Sequence, residues 1–341
     1  MIAASVLGAE AAEAPARIAD ALSRNDAALA ALARRLAADP PRFLLTCARG
    51  SSDAAALWLR TLAETRLGWP GGPLPPSTIS VYGADLKLQG TLLVLISQSG
   101  ASPDLLAVAD HARRRGAFTV GLVNVESSPL AERVDLLLPL AVGEERSIAA
   151  TKSCLAAMAI SLVLVERCRT GEADRFASAL PLHLAACAAD DWSPIVEAFA
   201  PASSAYAVGR GPGLAVAAEA ALKLKETAGI HAEALSAAEL MHGPIALAGP
   251  AMPALLFASG DESQASIEHA AGRVRALGAP TIVPGSLDRR DIGLPLRRAH
   301  DPAVALLGQL QAFYGFLPAL AAARGRNPDA PLGLSKVTLT R

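Results

Sequence analysis

The chain has 341 residues, 52% hydrophobic and 18% charged, which is enough for two α/β domains of about 150 residues, each with a sizeable core. Its 31 Lys and Arg nearly balance its 32 Asp and Glu, so no summed field draws it to nucleic acid or to an anionic membrane, and a small charged substrate needs a local site. Cys47, Cys154, Cys168 and Cys187 are scattered, with no CxxC pair and no His spaced for a tetrahedral metal; this argues against a disulfide scaffold or zinc and points to a reducing cytoplasm.

In chain order, residues 15–38 read as an amphipathic helix leading into Pro40-Pro41. The start lacks a basic segment and meets Glu10 and Glu13 early, against a signal peptide. Strands are expected at 42–46, 79–82, 92–97, 119–124 and 134–138, with helices between them at 54–65 and 104–115, the second stopping at Gly116. The longest apolar run, 154–165, falls short of the roughly 20 residues of a membrane span and reads as a buried helix. Asp190-Asp191, Pro194 and Pro201 break the pattern. A second set of strands follows at 205–209, 230–235, 254–258 and 281–283, then a helix at 303–323 and a tail from Asn327. Strands alternating with helices imply parallel sheets covered on both faces. The expected organisation is a helical segment at 1–40, domains at 41–190 and 200–325, and a tail at 326–341.

The two halves look like one unit used twice. The turn at 46–52 precedes a helix as 208–213 does, and the stretch 96–100 with its helix parallels 257–262 with its own. The chemistry differs. Ser97-Gln98-Ser99-Gly100-Ala101-Ser102-Pro103-Asp104 ends a buried strand in hydroxyls and an amide at a helix start, where free N–H groups and the dipole favour an anion such as phosphate. An ordinary N-cap would use one Ser. Ser97, Gln98, Ser99 and Ser102 exceed that need, and the anion site is the reading adopted. The second repeat puts Asp261 and Glu262 in the corresponding place, supplying its own negative charge, so only the first should hold phosphate.

A second candidate site lies at 217–226. At roughly 100° per residue in a helix, Lys223 lies about 40° from Glu219 and Glu226 about 20° on its other side, so the three share one face. Ala217, Ala221, Leu224 and Ala228 face the opposite way, and Lys225 reads as a solvated charge. The stripe reads equally as two helical ion pairs worth about 0.2–0.5 kcal/mol each or as a proton-transfer set. His242, on a Gly-Pro turn after a short helix, adds an imidazole that can move protons near neutral pH.

With these residues in place the chain resembles the double-SIS phosphosugar isomerase family, above all the isomerase half of glucosamine-6-phosphate synthase and the SIS-type amino-sugar-phosphate deaminases. The likeness runs from about Pro41 to the C-terminus. It is carried by Gly50-Ser51-Ser52, Ile96-Ser97-Gln98-Ser99-Gly100, Ala150-Thr151-Lys152, the 219–226 stretch with Ile230-His231-Ala232-Glu233-Ala234, His242-Gly243-Pro244 and Leu334-Ser335-Lys336. The resemblance implies an α/β fold of two tandem SIS domains, each a Rossmann- or flavodoxin-like three-layer sandwich.

It also implies roles. Gly50, Ser51, Ser52, Ser97, Gln98, Ser99 and Ser102 would bind phosphate, and Ile148 and Ser335 would contact the sugar. Glu226 would shuttle a proton between C1 and C2, His242 would open the ring from a neighbouring subunit of a homodimer, and Glu219 and Lys223 would flank Glu226. Lys336 would close the site and is able to form a Schiff base with a ketose. No metal or other cofactor is implied, and the partner is a small sugar phosphate held between the two halves, with neither nucleic acid nor membrane.

Departures narrow the expectation. Ile2 stands where a glutamine-dependent synthase has its nucleophilic cysteine, and about 40 residues precede the first strand, so the chain is not expected to make ammonia from glutamine. The leading expectation is an amino-sugar-6-phosphate deaminase/isomerase releasing ammonia and fructose 6-phosphate from glucosamine 6-phosphate. The alternatives are a deglycase of a phosphorylated ketosamine and a non-catalytic sugar-phosphate sensor, the latter opposed by the retained Glu226 and His242. Arg49, Ala101, Arg146, Ser147 and Ala150 also depart from the family's pattern near the sugar.

Overall fold

The computed structural model describes residues 5–336, so Ile2 and the last five residues of the tail lie outside it. The described chain divides into two compact units, one of 14–145, 152–181 and 335–336, the other of 5–13, 146–151 and 182–334. This differs from simple linear boundaries, for a physical reason. The N–H groups of Val6 and Leu7 donate to Asp329 at 2.8 Å each, and those of Arg146 and Ser147 donate to Glu10 at 2.6 and 3.1 Å. Bonds across so many residues leave no trace in a local pattern.

The first unit runs α1 (Val6–Ala38), β1 (Phe43–Cys47), α2 (Ser51–Leu67), β2 (Gly71–Pro73), α3 (Ser77–Ser80), β3 (Thr91–Ser97), α4 (Pro103–Arg114), β4 (Phe118–Val123), β5 (Leu136–Pro139), α5 (Lys152–Thr170) and the start of α6 (Asp174–Cys187). The first turns of α1, up to Glu13, group with the other unit. Its sheet is parallel throughout, in the order β2-β1-β3-β4-β5. All seven residues of β3 are buried, as expected of a central strand covered on both faces. Trp58 of α2, fully buried, donates its indole N–H to Met158 O of α5 at 3.0 Å and locks those two helices together.

One strand is misplaced by local pattern. The apolar 79–82 segment is not a strand: 77–80 form a single helical turn after Pro75-Pro76, and Val81 and Tyr82 are exposed. The edge strand is instead Gly71-Gly72-Pro73, a turn-like sequence recruited by β1, with Leu74 N donating to Thr46 O at 2.8 Å. A Cβ on Gly71 would lie 2.5 Å from Leu44 O, so the close strand approach requires glycine there.

The second unit runs α7 (Val196–Phe199), β6 (Ser204–Gly209), α8 (Gly213–Lys223), β7 (His231–Ser236), α9 (Ala237–Met241), β8 (Ala254–Leu256), α10 (Gln264–Ala276), β9 (Thr281–Ile282) and α11 (Pro302–Ala323). Its parallel sheet has the order β7-β6-β8-β9, the same winding as the first with one strand fewer. The repeat read from the sequence is therefore present, with β1 matching β6 and β3 matching β8.

Helix α11 is 22 residues long and apolar enough to cross a membrane by length and composition, yet 83% of its most apolar window is buried in the protein. The helix expected at 303–323 is thus present, and Gln309, Gln311 and Tyr314 are the polar groups within it. Each of the three makes an internal hydrogen bond: Gln309 to Ala258 O at 2.6 Å, Gln311 to Ala11 O at 2.9 Å and Tyr314 to Glu219 at 2.7 Å. The second also explains Pro15 inside α1. A proline cannot donate to the carbonyl four residues back, and Gln311 serves that carbonyl instead.

Candidate active site

In the first unit the winding reverses between β1 and β3, and open parallel sheets bind ligands beyond the strand ends at such a point. The loops after these two strands carry the expected phosphate residues. Gly50, with φ of 57°, precedes α2, whose first residues are Ser51 and Ser52. Ser97 ends β3 and its hydroxyl accepts from Gly100 N at 2.9 Å, and Ser99 Oγ accepts from Ala101 N at 3.3 Å, so two hydroxyls shape the turn. Ser102 is the N-cap of α4 but makes no side-chain capping bond, contrary to the ordinary reading of a Ser in that place.

Gln98 and Ser99 line a cavity of about 610 Å³ shared with Arg17, Arg24, Glu144 and Lys336. Lys336 Nζ lies 3.9 Å from Glu145, a buried carboxylate that accepts from Ser153 N at 3.1 Å and Ser153 Oγ at 2.6 Å. The tail lysine thus reaches the cavity of the first unit's loop, while Ser335 beside it is exposed. Ile148 groups with the second unit.

In the second unit, Glu219 and Lys223 on α8 are fully buried, with Lys223 Nζ 3.4 Å from Glu219 and ion-paired to Glu226, whose side chain is 19% exposed. Both helical ion pairs are therefore present, but their burial sets them apart from the exposed pairs to which a few tenths of a kcal/mol applies. A desolvated ion cluster is poor stability material compared with an apolar core, which favours a functional role. After Lys223 the helix widens into a π turn, 224–228, a feature frequent at functional sites. Thr227 Oγ1 donates to Lys223 O at 2.7 Å there. The opposite face is as expected, with Ala217, Ala221, Leu224 and Ala228 all fully buried and Lys225 exposed. His242 is the exposed C-cap residue of α9. In the other repeat loop, Asp261 accepts from Ser263 N at 2.9 Å just before α10, its own carboxylate occupying that turn.

Sequence reasoning missed Tyr314, whose buried hydroxyl donates to Glu219, and Glu145, which holds Lys336. Neither has a local signal, because each partner lies far off in the chain. It also missed Asn124 at the end of β4, which accepts from Val142 N at 3.1 Å and donates to Gly143 O at 2.8 Å. This fixes a cavity-lining loop in which Ala141 takes φ of 53°, a conformation unusual for a residue with a Cβ.

Two parallel sheets, with a hydroxyl-rich loop at the reversal point of one and a buried carboxylate–ammonium cluster in the other, define an α/β protein built from one winding used twice. The SIS domain model matches residues 78–167 and 198–283, and the chain belongs to that family. It is 32% identical over 86% of its length to the glutamine–fructose-6-phosphate aminotransferase (isomerizing) of Aeropyrum pernix, covering 50% of that protein. It therefore spans about half the length of such relatives. A crystal structure from Silicibacter pomeroyi DSS-3, assigned as a phosphosugar isomerase, is 35% identical with a TM-score of 0.89, covering 96% of this chain and all of that one. The glucosamine-6-phosphate deaminase of Thermotoga maritima shares the fold, with 21% identity and a TM-score of 0.79 over 98% of this chain and all of that one. The protein is a SIS-family relative of phosphosugar isomerases.

Proposed function

We propose that the protein is an amino-sugar-6-phosphate deaminase/isomerase that turns glucosamine 6-phosphate and water into fructose 6-phosphate and ammonia. The loops at 50–52 and 97–102 hold the 6-phosphate, anchoring the substrate away from the reacting carbons and so orienting them. His242 gives a proton to the ring oxygen and takes one from O1, opening the ring. Glu226 removes the proton from C2 and returns it to C1, converting the 2-amino aldose to a 2-imine. Water adds to the imine and ammonia leaves, so no co-reactant beyond water is needed. Lys223 sits against Glu226 and serves the sugar hydroxyl, Glu219 holds Lys223, and Lys336 closes over the substrate with Ser335, while Ile148 supplies a backbone contact.

The observation that carries this reading is the partly exposed Glu226 backed by a buried Lys223–Glu219 pair in a SIS-family chain. The test is ammonia release from glucosamine 6-phosphate. Glu226→Gln should lower kcat by about 10²–10⁴ while hexose-phosphate binding persists; ammonia release by that variant at the native rate overturns the role of Glu226.

One observation favours a second reading. The cavity beside Gln98 and Ser99 carries Arg17, Arg24, Glu126 and Glu144, a mixed-charge lining suited to the amino-acid group of a phosphorylated ketosamine. Release of an amino acid from such a ketosamine phosphate, without ammonia from glucosamine 6-phosphate, would make the protein a deglycase.

A further inference from the structure

Besides their hydroxyls, the two phosphate loops are joined by a charge pair. Arg49, between β1 and the N-cap of α2, donates from Nε and Nη2 to Asp104 Oδ2 at 3.1 and 2.7 Å. Asp104 is the second residue of α4 and only 1% exposed, while the Arg49 side chain is 52% exposed. The other Asp104 oxygen accepts from Leu105 N at 2.9 Å.

This arrangement poses an electrostatic problem for any phosphate at the same place. A buried carboxylate already occupies the positive end of α4, and a dianion beside it is repelled. Arg49 answers both charges. Its bonds to Asp104 use one edge of the guanidinium, and the Nη1 edge lies outside the pair. A planar fork of five donors is the side chain best matched to phosphate oxygens.

We propose that Arg49 is a phosphate-binding residue whose guanidinium bridges the buried Asp104 to the 6-phosphate of the substrate, so that charge as well as hydroxyls selects phosphorylated over free sugars. The inference rests on the functional reading above and adds a residue to it. It makes binding favour the dianion, strengthening as pH rises through the phosphate's second pKa of about 6, and weakening with salt.

The alternative is that Arg49 only neutralises Asp104. Calorimetric titration with fructose 6-phosphate and with fructose separates the two, using wild type, Arg49→Ala, Asp104→Asn and the double variant. Arg49→Ala should bind fructose 6-phosphate at least tenfold more weakly with a shallower salt dependence. It also leaves a buried carboxylate without its cation, so the double variant, which removes both charges, is the decisive arm. If Arg49 touches the phosphate, the double variant stays weak. Wild-type affinity in the double variant, or in Arg49→Ala itself, overturns the inference while leaving the functional reading intact. A wild-type protein that binds neither fructose 6-phosphate nor glucosamine 6-phosphate overturns the functional reading and this inference with it.

Discussion

Gly100 shows how one residue sets the shape of the loop at 97–102, the proposed phosphate site. Its φ of 62° is costly for any residue with a Cβ, and an added Cβ would lie 2.0 Å from Ser128 Oγ and 2.8 Å from Val123. Gly100→Ala should therefore cost about 1–3 kcal/mol from backbone strain alone and displace the Ser97 and Ser99 hydroxyls that brace the turn. The expected outcome is a lower urea midpoint and a loss of hexose-phosphate binding larger than the stability loss explains; unchanged binding by titration would remove this loop from the site. The residue identities at 97–102 were legible in the sequence. That Ser102 does not cap with its side chain, and that Arg49 reaches Asp104, depended on how two loops meet.

Elements were readable where their periodicity is strong. The central strands β1, β3, β4 and β6 fell within a residue or two of expectation, because runs of buried apolar residues declare themselves. The edge strand at 71–73 did not, since Gly-Gly-Pro has no strand preference and owes its state to the open edge of β1. The π turn at 224–228 was equally silent: the helical stripe predicted the Glu219–Lys223–Glu226 face but not the widened turn that carries Glu226. The α2–α5 pair gives an element-level prediction. Trp58→Ala removes the largest buried side chain between them and the indole bond to Met158 O, so stability should fall by about 3–5 kcal/mol, read by urea unfolding. A loss under 1 kcal/mol would mean the pair does not organise the first unit.

At the scale of the molecule, burial pushes the thiols of Cys47, Cys168 and Cys187 up to about 12 from an ordinary value near 9.0, with Asp104 adding to the effect at Cys47 and Asp190 at Cys187. Between pH 9 and 12 the unfolded chain has lost these protons while the folded one keeps them. The folded state then binds more protons, and stability falls as pH rises through that window. The urea midpoint should drop from pH 9 to 11 more steeply in the wild type than in a triple Cys→Ala variant, and none of the three thiols should react with iodoacetamide in the native protein at pH 8. Assembly is the other whole-molecule expectation. If His242 serves a neighbouring copy in a homodimer, mixing inactive Glu226→Gln and His242→Ala proteins should restore up to about a quarter of the activity, the share of mixed dimers times one intact site. A mixture that stays dead after verified subunit exchange rules out shared sites.

The sequence by itself determined the family, the doubled parallel-sheet plan and the motif residues, because these rest on local spacing: apolar runs of strand length, hydroxyls at a strand end and three charges on one helical face. Tertiary structure alone decided what those residues experience. Whether Lys223 is solvated or buried, which carboxylate meets Arg49, what Glu145 holds and which glycine stretch becomes a strand all depend on chain segments tens to hundreds of residues apart. Desolvation and ion pairing act through space, and a linear pattern carries no distances between remote positions.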